Sequence, residues 1–230
     1  MTELRPEPSG LAGRLDVVRE RVASAARDAG RDPADVTTIV VTKFHPVTMI
    51  EELLRLGVHD FGENRHQEAQ EKAGALAGRD LTWHFVGQVQ GKKARQVRSY
   101  AHVVHSVDRA SLATALGSAD SSIDCFIQVN LTDDPARGGV DPSGLDALVE
   151  HVLGTPGLRL LGLMAVAPLG AEPAAEFARV RSLGEGIRRA APEARFLSMG
   201  MSQDYPEAIR EGATHLRIGT AITGNRPTLG

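Results

Sequence analysis

Thr37-Thr-Ile-Val-Val-Thr-Lys43-Phe-His-Pro46 is a short β-branched run closed by a proline. That composition suits a strand buried on both faces better than a helix. Alternation along a strand puts Ile39, Val41 and Lys43 on one face. A lysine ending an apolar face is costly to bury as an ammonium. Burial pulls an amine down from its usual pKa of about 10.4, and a partly neutral amine attacks carbonyls. Lys43 is therefore either a Schiff-base nucleophile or simply the strand's exit into solvent.

Working outward, the same kind of segment recurs. After strand one come Val58–Gly62, Thr82–Gly87, His102–Val107, Asp124–Leu131, Leu158–Val166, Arg195–Met199 and Thr214–Ile218. Segments of helical period lie between them, with Asp108 as a cap and Asp204/Glu207 in a capping-box pattern. Before strand one, Leu11, Leu15, Val18, Val22 and Ala26 mark an amphipathic helix that Ser9 can cap. Eight strands, each but the last followed by a helix, predict an α/β fold: a (β/α)8 TIM barrel. The N-terminal helix would complete the outer ring. A doubly wound open sheet is the alternative.

At 230 residues the chain fits one barrel domain, 1–230, with 1–8 as a tail. A net charge of -3 and a pI near 6.2 give no reason to expect nucleic acid or an anionic membrane. The single cysteine, Cys125, cannot form an internal disulfide, which points to a reducing, cytoplasmic setting. No signal peptide or membrane span is legible, and a monomer is expected. His102 and His105 are three apart on a strand and face opposite ways, so no metal site is expected. His45, His59, His66 and His151 read as surface residues.

In a barrel the working groups come from the C-terminal ends of strands. Lys43 lies at one. Strand seven leaves through Ser198-Met-Gly-Met-Ser-Gln-Asp204, and strand eight through Arg217-Ile-Gly-Thr-Ala221. Each pairs a glycine with a hydroxyl ahead of a helix, the parts of a phosphate site. Arg217 is always charged, so near a barrel mouth it needs an acceptor: a structural carboxylate, or a ligand's heteroaromatic nitrogen or phosphate. A nucleophilic lysine, a phosphate cradle and an arginine together are what pyridoxal 5′-phosphate requires.

Several blocks occur in order: Val41-Thr-Lys43, Phe61-Gly-Glu-Asn64, Trp83-His-Phe-Val-Gly87, His105-Ser-Val-Asp108 and Gly162-Leu-Met-Ala165. Leu197–Asp204 and Arg217–Ile222 complete the series. Over about residues 10–226 the chain resembles the pyridoxal phosphate homeostasis protein family. The resemblance implies a pyridoxal-phosphate fold-type-III barrel, like the N-terminal domain of alanine racemase. It implies the cofactor on Lys43 as a Schiff base. It implies phosphate contacts from Ser202, Gly219 and Thr220, with Arg217 at the pyridine nitrogen. Asn64, His84 and Met201 would line the ring. The chain departs from the family at His45, where a second lysine is usual, and at Gln90-Gly-Lys-Lys93, Arg137 and Thr223.

Two functions from different classes follow. One is a carrier that buffers pyridoxal phosphate, maintains vitamin B6 homeostasis and passes the cofactor to apo-enzymes. The other is a racemase-like amino-acid enzyme. Racemases of this fold add a second domain with an opposing tyrosine, and this chain has only Tyr100 and Tyr205. A class I aldolase would also use a lysine and phosphate loops.

Overall fold

The computed structural model describes residues 10–226. The expected tail and the Ser9 cap lie outside them. Eight parallel strands form a closed barrel in chain order. They are β1 (Thr37–Val41), β2 (Asp60–Glu63), β3 (Thr82–Phe85), β4 (Val103–Val107), β5 (Ile123–Gln128), β6 (Leu158–Met164), β7 (Phe196–Ser198) and β8 (His215–Ile218). β8 closes on β1, with Ile39 opposite Arg217.

The outer ring is α1 (Gly10–Asp28), α2 (Val47–Arg55), α3 (His66–Ala75), α4 (Ala94–Arg98), α5 (Ala110–Leu116), α6 (Leu145–Leu153), α7 (Pro173–Ile187) and α8 (Tyr205–Arg210). A one-turn helix, α9 (Thr220–Thr223), follows β8, where the sequence predicts none. The apolar stripe Leu11, Leu15, Val18, Val22 and Ala26 of α1 is buried. α1 packs on α8 and α9, and its Arg14 Nε donates to the Ile222 carbonyl at 2.8 Å. The N-terminal helix thus closes the ring, each buried leucine or valine contributing about 1.5–3 kcal/mol.

Between strands and helices runs one large apolar core. Inside the barrel a small apolar cluster, Val103, Phe126 and Met164, stands apart from that core. Imidazoles pack against it. The Phe126 ring stacks on His105 at 4.6 Å and meets His215 edge-on at 5.1 Å. β6 and β7 approach closely at Gly162, whose φ is +152°. A Cβ there would lie 1.8 Å from the Phe196 carbonyl oxygen.

One expected cap is displaced, and another holds its place without its side-chain bond. Arg109, not Asp108, is the N-cap of α5. Asp204 precedes α8 but turns back, its Oδ1 accepting from the Met201 N–H at 2.6 Å. The tight turn after Gly200 offers that nearer donor. Among the described residues no helix is long and apolar enough to cross a membrane.

Candidate cofactor site

A cavity of about 460 Å³ opens at the C-terminal end of the barrel. Lys43, Asn64, Met201, Ser202, Arg217, Gly219 and Thr220 all line it. They come from four separate stretches, brought together because each follows or ends a strand.

Lys43 is not buried at the end of a strand as the alternation predicts. β1 stops at Val41, and Lys43 sits exposed in the turn that follows. The His45 N–H closes that turn on the Thr42 carbonyl at 3.0 Å. Its third residue, Phe44, has φ +68°, the only positive φ of a non-glycine among the described residues. A type II turn normally places glycine there. The Phe44 ring lies between the guanidiniums of Arg65 and Arg226, at 4.5 and 4.2 Å.

On the adjoining wall, Ser202 Oγ accepts from the Ala221 N–H at 3.4 Å. This bond ties the loop after β7 to the loop after β8. Asn64 reaches the mouth because Gly87 lets the ends of β2 and β3 touch. A Cβ on Gly87 would lie 2.2 Å from the Asn64 carbonyl oxygen. Asn64 Oδ1 is buried without a hydrogen-bond partner among the described residues.

Arg217 is buried in the floor. Its Nη1 donates to the Ser198 carbonyl and to Ser198 Oγ, each at 2.7 Å, and Nη2 donates to the Ala165 carbonyl at 2.9 Å. The acceptors are thus a hydroxyl and two carbonyls, not a carboxylate. Burial draws the guanidinium pKa down to about 10, with Asp204 pulling the other way. It stays charged at neutral pH. Three of a guanidinium's five N–H groups are engaged in these bonds.

His84 does not line this cavity. Its Nε2 bonds Asp60 Oδ1 at 3.0 Å, on the same face of β2 but nearer the barrel's other end. That bond turns the ring away from the mouth. His84 Nδ1 meets His105 Nε2 at 3.0 Å, and His105 Nδ1 meets Ser198 Oγ at 2.8 Å. A chain of hydrogen bonds therefore runs through the barrel from Arg217 to Asp60. For neutral imidazoles its direction is set from the Asp60 end, because an ionised carboxylate only accepts. In that order Ser198 Oγ accepts from Arg217 and gives its own proton to His105 Nδ1. His105 then carries its proton on Nε2 and gives it to His84, which gives its Nε2 proton to Asp60. Burial holds the fully enclosed His105 well below the ordinary imidazole pKa, so the ring is neutral at neutral pH.

Behind the Lys43 turn lies a second polar cluster. Lys72, on α3, is buried and donates to the Thr42 carbonyl at 2.8 Å and to Glu63 Oε1 and Glu68 Oε1, both at 2.7 Å. Burial raises the Glu63 carboxyl pKa, and Lys72 and Thr42 work against that rise. His45 is buried here rather than on the surface, its Nδ1 unpartnered among the described residues, because the turn folds it inward against this cluster. The sequence offers no sign of the cluster. Glu68 and Lys72, four apart on a helix, look like an exposed ion pair. Gln128 and Met164 also line the cavity, from the ends of β5 and β6. Only their strand-end positions could have marked them.

Comparison with known proteins supports this fold and gives the family. The family model for the alanine racemase N-terminal domain matches residues 14–227. The pyridoxal phosphate homeostasis protein of Pseudomonas aeruginosa is 41% identical over 225 residues, covering 95% of this chain and 96% of that protein. PipY of Synechococcus elongatus PCC7942, in its structure with PLP bound, superposes with a TM-score of 0.80 at 36% identity, covering 94% of this chain and all of that one. Alanine racemase from Corynebacterium glutamicum shares the fold, with a TM-score of 0.71 at 16% identity, over 94% of this chain but 63% of that one. A closed barrel, and relatives matched along nearly their whole length, place this chain in the pyridoxal phosphate homeostasis protein family.

Proposed function

We propose that this protein binds pyridoxal 5′-phosphate as a Schiff base on Lys43, and carries and buffers it for vitamin B6 homeostasis. The observation that carries this reading is the convergence of Lys43, Ser202, Arg217, Gly219 and Thr220 on one cavity. Their chemistry fits the group. About 460 Å³ is within the ordinary range for a small-molecule site. Arg217 has two N–H groups beyond its three bonds to the barrel, and Asn64 offers a buried unpartnered oxygen. When bound, the cofactor supplies an aldehyde carbon and an electron-withdrawing pyridine ring.

In this reading Lys43 provides the amine. The hydroxyls of Ser202 and Thr220, with the backbone at Gly219, hold the phosphate. Arg217 faces the pyridine nitrogen and, being charged, keeps that nitrogen unprotonated. Asn64 and Met201 flank the ring. His84 is not among these groups and acts only through Arg217. Recipients of the cofactor would be pyridoxal-phosphate-dependent apo-enzymes.

Ser202→Ala or Thr220→Ala each removes one hydrogen bond to a charged group. Either is expected to weaken cofactor retention by about 1.5–3 kcal/mol, roughly 10- to 150-fold. Equilibrium dialysis against the phosphorylated cofactor measures it. Unchanged affinity in both variants refutes this phosphate placement.

The racemase-like alternative needs an acid/base group on each face of the ring. Neither tyrosine lines the cavity. Tyr100 OH pairs with His66 on the outer ring, and Tyr205 is buried at the start of α8. With one base missing, turnover is expected to fall by a factor of about 10²–10⁴. The test is to incubate the loaded protein with single-enantiomer amino acids in deuterated water and follow α-proton exchange and chirality. Racemisation of one amino acid at ordinary enzyme rates would overturn the carrier reading.

A further inference from the structure

We propose that Lys72 is the positioning residue of Lys43, acting as a clamp that holds the peptide planes on both sides of it. The inference rests on the assignment of Lys43 as the cofactor amine. Two rotations, φ and ψ of Lys43, separate the Thr42–Lys43 peptide from the Lys43–Phe44 peptide. Fixing both planes fixes the direction in which the Lys43 side chain leaves the backbone. The Lys72 ammonium donates to the Thr42 carbonyl at 2.8 Å, which holds the first plane. The second plane is held by Glu68 Oε1, which accepts the Phe44 N–H at 2.6 Å. The same Glu68 oxygen accepts from Lys72 at 2.7 Å, so one ammonium anchors both planes.

The third Lys72 proton goes to Glu63 Oε1 at 2.7 Å, which also accepts the Thr42 hydroxyl at 2.7 Å. All three ammonium protons are thus used, and Lys72 cannot itself serve as a nucleophile. Such a cluster is more than the turn needs to stay closed, since His45 N–H already closes it. What it adds is restraint of a strained backbone. A non-glycine in the left-handed region costs about 1–3 kcal/mol and relaxes unless its surroundings over-determine it. Relaxation at Phe44 would swing Lys43 out of line with the Ser202–Thr220 wall. The effect should fall on condensation, not on binding. In that step Lys43 Nζ bonds to the aldehyde carbon, and the aldehyde oxygen leaves as water with the two amine protons.

The experiment compares two ligands. Pyridoxal 5′-phosphate can condense with Lys43, whereas pyridoxine 5′-phosphate, which has an alcohol in place of the aldehyde, can only occupy the pocket. Lys72→Met with Glu63→Gln removes the two most buried charges as a pair and leaves Glu68, which reaches solvent, as the remaining carboxylate. Glu68→Gln is a milder variant that keeps an acceptor and loses its charge. The double variant is expected to form the borohydride-stable Lys43 adduct about tenfold more slowly or worse. For Glu68→Gln the slowing is about threefold. Pyridoxine 5′-phosphate affinity should stay at the wild-type value in both.

Equal losses with both ligands mean that the cluster merely supports the fold, and overturn the proposal. So do unchanged condensation rates. If the double variant does not fold, as judged by melting of the cofactor-free protein, Glu68→Gln decides alone. Absence of any Lys43 adduct in the wild type overturns the cofactor assignment itself, and the clamp with it.

Discussion

Lys43→Ala is expected to abolish the borohydride-stable cofactor adduct altogether. Among the residues lining the cavity, Lys43 is the only one with a primary amine. The other lysine near it, Lys72, lies buried behind the turn with its protons engaged. Lys92 and Lys93 sit ahead of α4, outside the lining of this cavity. Reversible occupation through the phosphate loops should survive the substitution, because Ser202, Gly219 and Thr220 remain. Reduction, proteolysis and mass spectrometry distinguish these outcomes. A trapped adduct on Lys92 or Lys93 in the variant, at wild-type yield, would falsify the assignment of Lys43.

The barrel interior is expected to make the protein acid-labile well above the range in which carboxylates titrate. Burial lowers His215 to about 4, and His84 and Arg217 add to the effect while Asp60 opposes it. His105 is lowered well below its ordinary value, and His45 and His102 are lowered too, mainly by burial. Each is held neutral in the fold and free to protonate when unfolded. Their contribution is complete above the unfolded value of about 6.5 and drains away as pH falls towards the folded value. For His215 alone the loss between about pH 6.5 and 4 is about 3 kcal/mol. Glu63 acts in the opposite sense, since its raised pKa favours the fold as pH falls. One carboxyl offsets only part of four imidazoles. Urea unfolding from pH 7 to 4.5 should show a falling midpoint, and His215→Phe should flatten that limb. A midpoint independent of pH across this interval argues that these imidazoles protonate in the fold.

Much of the barrel is legible because parallel strands buried on both faces leave β-branched runs such as Thr37–Val41, and short loops leave turn residues. The cavity walls are legible for a related reason. A lysine, glycines and hydroxyls at strand ends need no knowledge of pairing beyond the fold class. What escapes is depth along the barrel axis. His84 shares the inward face as alternation requires, but Asp60 draws its ring towards the opposite end from Lys43. Stagger between strands decides this, and no local pattern carries it. The Lys72 cluster escapes because Thr42 lies 30 residues away in sequence, while the helical spacing to Glu68 suggests solvent. Lys43 itself was expected at a strand end and stands one turn beyond it, where a left-handed Phe44 lets the chain reverse.

The ordered chain from Arg217 to Asp60 gives the barrel the property of an electrical rectifier in its off state. A proton can hop along such a chain only from donor to acceptor, and here every hop leads away from the cofactor pocket. The first would have to strip a guanidinium whose pKa is about 10. Protonating Asp60 from the far end sends nothing back, because each imidazole there already presents its N–H towards that end. The wire is therefore continuous in geometry and closed to conduction at neutral pH. The barrel's far end thus supplies the pocket with no protons along this chain, and capping the mouth would leave that supply shut as well.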